Sequence, residues 1–192
     1  MALGNQAWGD RVDEPTNGYT DQRHRVGTRR QQLPSEVITP YPAFAGTAVV
    51  AMANGAADYT PEGDRTWVFV FNDEAATAFA AGHSVQRDTA DYADWDGILT
   101  TTAITHDLFL GIAQHGITAG RWGFIGRCGT FLARSDAGGS GAGTAMAAGA
   151  AAGSGRTSAS GADEDANIGH VGGFATGAVV DSVYPIVLDV AP

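Results

Sequence analysis

Hydrophobic residues along the chain fall into short clusters that are separated by glycine and acidic residues. Six segments are rich in Val, Ile, Phe and Trp, or alternate apolar with polar side chains as strands do, and they cover residues 46–53, 66–71, 103–114, 120–134, 168–175 and 179–192. Turn-forming sequences lie at Asn54-Gly55, Glu62-Gly63-Asp64, Thr118-Ala119-Gly120 and Thr176-Gly177. No long segment carries an apolar face with helical spacing, and residues 74–83 offer at most one short helix. The pattern therefore predicts a mainly β fold, either a β-barrel or a β-sandwich.

Residues 1–42 lack this pattern, because their large apolar residues are scattered without a sustained period of 2 or 3.6. Three prolines near the end of the segment, Pro34, Pro40 and Pro42, favour polyproline or β geometry and exclude a helix. We therefore expect an extended N-terminal arm over residues 1–42 and a β-barrel or β-sandwich body over residues 43–192.

Residues 135–167 consist largely of Gly, Ala and Ser. Without large side chains, such a segment cannot offset the entropy lost on ordering by its own burial. It is predicted to be a long Gly/Ala-rich, low-complexity loop within the body.

Composition narrows the classes of protein that the chain fits. It has 192 residues, a formal net charge of -10 and 11 Arg without any Lys, and this size fits one domain or one domain with an arm. Because an acidic body repels phosphate backbones, we expect no nucleic acid partner. No apolar run approaches the length of a membrane span, and no signal-peptide pattern is present, so we expect neither. The lone Cys128 excludes an intramolecular disulfide and a cysteine zinc site, and we expect it to be a small buried packing residue.

Two glycine-containing patterns resemble catalytic or phosphate-binding motifs but favour ordinary structure. Around Ser84, the place of the second glycine of a nucleophile elbow is taken by Gln86, so a turn that enters a strand explains the sequence better. The glycines of residues 138–143 are not followed by an amphipathic helix, so a surface loop is favoured over a phosphate cradle.

Acidic and histidine residues likewise lack the spacing of metal sites. The group Asp91, Asp94 and Asp96 fails the EF-hand register and favours a solvated turn, as do residues 163–165. Three histidines that could meet in space have no zinc-binding spacing, namely His106, His115 and His170. The sequence therefore predicts no catalytic residue, no cofactor and no metal, and a protein that is not an enzyme.

A cluster of arginines in the predicted arm is the strongest candidate for a binding function. It comprises Arg23, Arg25, Arg29 and Arg30, and it keeps a net positive charge when Asp21 is counted. Guanidinium groups pair bidentately with carboxylates, so a basic arm on an acidic body favours docking onto an acidic protein surface. Nucleic acid is the weaker alternative, since no aromatic residues are interleaved with these arginines.

A recurrent spacing of glycine and apolar residues runs through the rest of the chain. It includes Gly111-Ile112-Ala113, Ile117, Gly120, Trp122-Gly123, Gly129, Ile168-Gly169 and a terminal run to Val190, with AFAGTAVV and FAAGHSVQRD upstream. This spacing resembles the β-barrel or β-sandwich modules of tailed-phage capsid decoration (cement) and head-fibre proteins, over residues 43–192. The arm has no counterpart in that pattern, and the 135–167 insert is longer and richer in glycine.

The resemblance implies a virion structural protein that is made in the host cytoplasm and stabilises the capsid exterior by binding its lattice. Its partner would be the major capsid protein, and a symmetric homo-oligomer, a trimer, would suit lattice axes. The alternative is a head-fibre or adhesion module that binds host-surface carbohydrate through Trp8, Trp67, Trp95 or Trp122. Because Trp67 and Trp122 lie in apolar segments, we expect them in the core and Trp95 to be the exposed one.

Overall fold

The computed structural model describes residue 12 and residues 17–33, 64–90, 95–101, 106–134, 145–148, 152–157, 167–171 and 183–189. These residues form a ten-stranded sheet and a short 3₁₀ helix at His106–Leu108. The strands are β1 (Arg29–Gln32), β2 (Arg65–Asn72), β3 (Ser84–Arg87), β4 (Asp96–Leu99), β5 (Phe109–Ile112), β6 (Trp122–Arg134), β7 (Ala145–Ala148), β8 (Gly155–Thr157), β9 (Asn167–Val171) and β10 (Val183–Asp189). The predicted mainly β fold is confirmed.

Five of the strands close into a barrel. Their order around it is β2-β4-β3-β5-β6, and β6 pairs back onto β2 with Phe69 opposite Phe124. Neighbouring strands are antiparallel except β2 and β4, which are parallel. Closure gives each of these strands two partners, so the barrel has no free edge of its own.

The barrel interior is filled by aliphatic side chains from every one of its strands. Alternate residues of β2 supply Val68 and Val70, and the other four strands supply Val85, Leu99, Leu110 and Ile125. The intervening residues of β2, Trp67 and Phe69, point to the opposite face of the strand. They belong to a second cluster on the outer face of β2, together with Phe124 of β6. The alternation expected for a half-buried strand is thus replaced at β2 by burial on both faces.

Residues 17–33 cover that outer aromatic face. Tyr19 forms a β-bridge with Trp122 and packs against Phe69, and β1 extends the sheet by pairing with β2. This part of the predicted arm therefore belongs to the body. The hydrophobic pattern did not reveal β1 because the residues that face the outer aromatic cluster are polar: Arg30 and Gln32 are both buried, and Gln32 Oε1 accepts a 2.9 Å hydrogen bond from Trp67 Nε1.

Four strands continue the sheet beyond the barrel. β10 pairs with the second half of β6, β9 with β10, β7 with β9 and β8 with β7. Both β7 and β8 lie within residues 135–167, where the sequence predicted a loop. They form as strands because β7 pairs with β9 and β8 pairs with β7 through backbone hydrogen bonds, which do not require large side chains. Gly153 lies between β7 and β8, where its carbonyl oxygen accepts a hydrogen bond from Ser84 N and its N–H donates to Thr100 O. These two bonds join the segment to the barrel.

Residues 74–83 are not helical. The buried Asn72 directs them instead, since its Nδ2 donates to Thr77 O and Ile117 O while its Oδ1 accepts from Glu74 N. An Asn side chain that bonds to the backbone offers an alternative to helix formation.

Close approach of β5 and β6 depends on a glycine. Gly111 has a φ of +152°, and a Cβ there would collide with the carbonyl oxygen of Gly126. Only glycine allows this backbone contact without a shift of one strand.

Candidate functional site

The four arginines singled out by the sequence lie together on the outer side of the barrel. Residues 23–30 approach and enter β1, and all four arginines line one open cavity of about 350 Å³ with His24 and Thr28. Arg23, Arg25 and Arg29 are exposed, whereas Arg30 is buried and reaches the cavity from beneath. A stretch expected to be extended therefore presents its arginines at one defined place.

Aromatic rings hold part of this cluster in position. The guanidinium carbon of Arg23 lies 4.6 Å from the ring centroid of Tyr19, and that of Arg30 lies 5.6 Å from the ring of Phe124. His24 packs edge-on against Phe69, with ring centroids 5.1 Å apart, and its Nε2 lies 3.5 Å from Arg30 Nη2. Stacking of this kind orients a guanidinium group.

Arg25 and Arg29 differ from these two residues. Within the part of the chain that the structure describes, neither side chain forms a hydrogen bond or an ion pair. Each guanidinium carries five donors in a planar fork that matches a carboxylate. Arg25 and Arg29 are therefore available to a partner, whereas Arg23 and Arg30 stack on aromatic rings of their own chain.

A second cavity, of about 460 Å³, adjoins the first. Its lining is Arg25, Val26, Gly27, Thr28 and Trp95, so the two cavities share Arg25 and Thr28. Two parts of this lining, at Gly27 and at Trp95, are hydrogen-bonded to the backbone of β2. Phe69 O accepts from Gly27 N at 2.7 Å, and Phe71 N donates to Trp95 O at 3.2 Å.

Gly27 sets the position of the indole in this cavity. Its φ is +80°, and a Cβ at this position would collide with the indole nitrogen of Trp95. Any larger residue would displace the Trp95 ring.

Two further arginines raise the positive charge of this face. Arg127 of β6 lies with its guanidinium carbon 5.4 Å from the Trp95 ring centroid, and its Nη1 donates to Leu110 O. Burial lowers the pKa of Arg127 below its ordinary value, and the positive charges of Arg29 and Arg87 lower it further. An anion at this face would relieve the mutual repulsion of these groups.

Sequence reasoning missed Arg87 and Arg127. The available signal was a charged residue inside the apolar sequence RWGFIGRCG, but only the fold places Arg127 beside Trp95 and near Arg29. We call the surface formed by the two adjacent cavities the arginine face. Its lining residues are Arg23, His24, Arg25, Val26, Gly27, Thr28, Arg29, Arg30 and Trp95.

The serine motif has the structure that its sequence favoured. A turn at Gly82 leads into β3, where Ser84 is fully buried and its hydroxyl has no hydrogen-bond partner among the described residues. The hydroxyl is thus enclosed within the fold. Residues 138–143 lie outside the described residues.

Of the other candidate ligands, the structure describes the side chains of His115 and Asp96. His115 is buried, with Nδ1 3.1 Å from Gly116 O, while Asp96 begins β4. The side chains of His106 and His170 lie outside the described residues, as do Asp91, Asp94 and residues 163–165. Within the described ranges, no group of three or more His, Cys, Asp or Glu residues could hold a metal ion.

Three of the four tryptophans, and the cysteine, can be placed. Trp67 is fully buried, as expected, whereas Trp122 is half-buried against Phe71, with ring centroids 4.9 Å apart. Trp95 is half-buried rather than exposed, and Cys128 is half-buried rather than buried. Trp8 lies outside the described residues.

A scan against protein-family models and a search of curated proteins found no match to this chain. Among the described residues, no helix has the length and hydrophobicity needed to cross a membrane.

Proposed function

We propose that this protein is a virion structural protein that binds the outer surface of a tailed-phage capsid lattice and stabilises it. In this proposal its partner is the major capsid protein, it resides on the capsid exterior, and it neither binds nucleic acid nor catalyses a reaction. It acts as a homo-oligomer, a trimer, at lattice axes. Many copies on a repeating lattice would add modest contacts into strong total binding.

The observation that carries this proposal is the placement of Arg23, Arg25, Arg29 and Arg30 around one cavity on an otherwise acidic protein. Because β1 and Gly27 fix the backbone of this segment on β2, binding through it costs less backbone entropy than binding through a free arm. The cavity can accept carboxylates, and the net charge of -10 disfavours a phosphate-rich polymer as partner.

The adhesion alternative receives less support from the geometry. A sugar-binding tryptophan presents a free ring face, but Trp95 is half-buried and has the Arg127 guanidinium near its ring. The cavity that it lines also contains Arg25, so a neutral saccharide would leave this cation without a counter-charge.

The test is co-sedimentation with heads of the cognate virus that were prepared without this protein. We expect saturable binding by the native chain and at least a tenfold weaker binding by the variant Arg23→Gln/Arg25→Gln/Arg29→Gln, because three exposed cations of the cavity are lost. The matched control is Arg121→Gln, which removes one positive charge outside both cavities.

Point substitutions are sharper here than removal of the first 40 residues, because Tyr19 and Arg30 pack on the barrel and their removal would uncover Phe69 and Phe124. Unchanged binding by the triple variant would show that the arginines are not the anchor. Absence of binding by the native chain would overturn the proposed function.

A further inference from the structure

The arginine face has two unlike halves. One cavity presents guanidinium groups, and the other is walled by Val26 and Trp95 with Arg25 at the shared boundary. A partner that supplied carboxylates alone would leave Val26 and the Trp95 ring of the second cavity without a contact of their own.

The chain itself shows which groups suit these arginines. Among the residues that the structure describes, four arginines lie over aromatic rings of their own chain: Arg23 on Tyr19, Arg30 on Phe124, Arg65 on Phe131 and Arg127 on Trp95. Arg25 lines the Trp95 cavity, is exposed, and makes no side-chain hydrogen bond or ion pair among the described residues. An aromatic side chain in this cavity would stack on the guanidinium of Arg25 and contact only the part of Trp95 that lines the cavity.

The two halves are close enough for one short segment to fill both. Because they share Arg25 and Thr28, the two cavities adjoin, and about three residues of extended chain, roughly 10 Å, suffice to reach from one into the other. β1 begins at this boundary and is the outermost described strand on its side of the sheet. An extended segment of a partner could therefore lie along residues 25–30.

We propose that the arginine face recognises an extended acidic peptide segment in which an aromatic residue lies about three residues from two or more carboxylates. The aromatic side chain occupies the Trp95 cavity, and the carboxylates pair with Arg25 and Arg29. This inference rests on the proposed function, since it specifies the feature of the capsid protein that the arginine face binds.

The experiment uses fluorescence polarisation with three labelled synthetic peptides and the full chain. The first is Gly-Phe-Gly-Asp-Glu-Asp-Gly, the second has Ala in place of Phe, and the third has Asn and Gln in place of the acidic residues. We expect binding of the first peptide, at least about tenfold weaker binding of the second, and no binding of the third. The change of Phe to Ala lies in the peptide, so this comparison does not depend on the folding of any protein variant.

Two protein variants assign the contacts. Trp95→Leu keeps an apolar side chain in the barrel wall and should remove the difference between the first two peptides. Arg25→Gln should weaken both peptides, while Arg121→Gln should weaken neither beyond the small effect of total charge. Thermal unfolding of each variant verifies that it is folded.

The outcomes separate this inference from the proposed function. Equal binding of the Phe and Ala peptides would overturn the aromatic subsite and leave carboxylate binding to capsids standing. Binding to viral heads without binding to any peptide would overturn the linear acidic segment alone. If the peptides failed and an acidic oligosaccharide such as oligogalacturonate bound with dependence on Trp95, the inference would be overturned in favour of a saccharide site.

Discussion

At the scale of single residues, buried side-chain amides form hydrogen bonds to the backbone that the pattern of hydrophobic residues does not predict. Gln114 is fully buried, and its side chain pairs with the backbone of Leu132 as a neighbouring strand would. Its Nε2 donates to Leu132 O at 2.8 Å, and its Oε1 accepts from Leu132 N at 3.1 Å. Asn72 plays a similar part at the end of β2 by satisfying three backbone groups. Such contacts are needed because a buried backbone group without a partner is costly.

Substitution of Gln114 tests this role. We expect Gln114→Ala to lower the free energy of unfolding by about 2 to 4 kcal/mol, because both polar groups of Leu132 lose their partner and a cavity is left. The measurement is urea unfolding followed by circular dichroism. Gln31→Ala is the control, since the exposed bond from Gln31 to Asp64 should contribute less than about 0.5 kcal/mol. Equal effects of the two substitutions would contradict the assigned role.

At the scale of elements, residues 17–33 behave as part of the β-body. They cover the outer aromatic face of β2 and β6, and Tyr19 is buried in the same cluster as Phe69 and Phe124. The segment thereby does two things: it shields aromatic surface from water, and it fixes the backbone that carries the arginines. Stability and binding are expected to be coupled through it.

A substitution at Tyr19 tests whether the segment is docked. Tyr19→Ala should cost about 3 kcal/mol of unfolding free energy, because a buried ring on Phe69 is lost, and it should also weaken binding to viral heads by releasing Arg23. Leu33→Ala, at an exposed position of the same segment, should change stability by less than about 0.5 kcal/mol. A free arm would instead give a stability unchanged by either substitution in denaturant titrations.

At the scale of the whole molecule, charge is segregated. The chain has a net charge of -10, yet Arg23, Arg25, Arg29 and Arg30 surround one cavity, with Arg127 close to the adjoining one. Like charges held together by a fold raise its free energy, and the pKa of Arg127 is lowered first by burial and then by repulsion from Arg29 and Arg87. An anion that binds the arginine face should therefore stabilise the folded state.

Sulfate provides the test of this charge effect. Chloride is replaced by sulfate at constant ionic strength, with the sulfate concentration set to about ten times its dissociation constant. The free energy of unfolding should then rise by about 1.4 kcal/mol and the melting temperature by about 3 °C. The increase should be lost in Arg25→Gln/Arg29→Gln and kept in Arg121→Gln, as measured by calorimetry. The same increase in all three proteins would mean that sulfate acts through general exclusion from the surface and not at the arginine face.

Much of the fold could be predicted because large apolar residues cluster in strands. The segments at residues 66–71 and 120–134 became β2 and β6, and the turn at residues 118–120 has a hydrogen bond from Arg121 N to Thr118 O. The candidate arginines could also be found, since a run of like charges is visible in sequence. The predicted strand at residues 46–53 lies outside the described residues.

By itself, then, the sequence determined the β class, the strand-rich segments and the identity of the basic cluster, because each depends on neighbouring residues. Tertiary structure alone decided that β1 would form with Arg30 and Gln32 buried against the outer aromatic cluster, and that Gly/Ala-rich residues would add β7 and β8 to the sheet. It also brought Trp95 and Arg127 to the arginine face. These features depend on contacts between residues far apart in the chain, because the free energy that stabilises them comes from those contacts and not from the local sequence pattern.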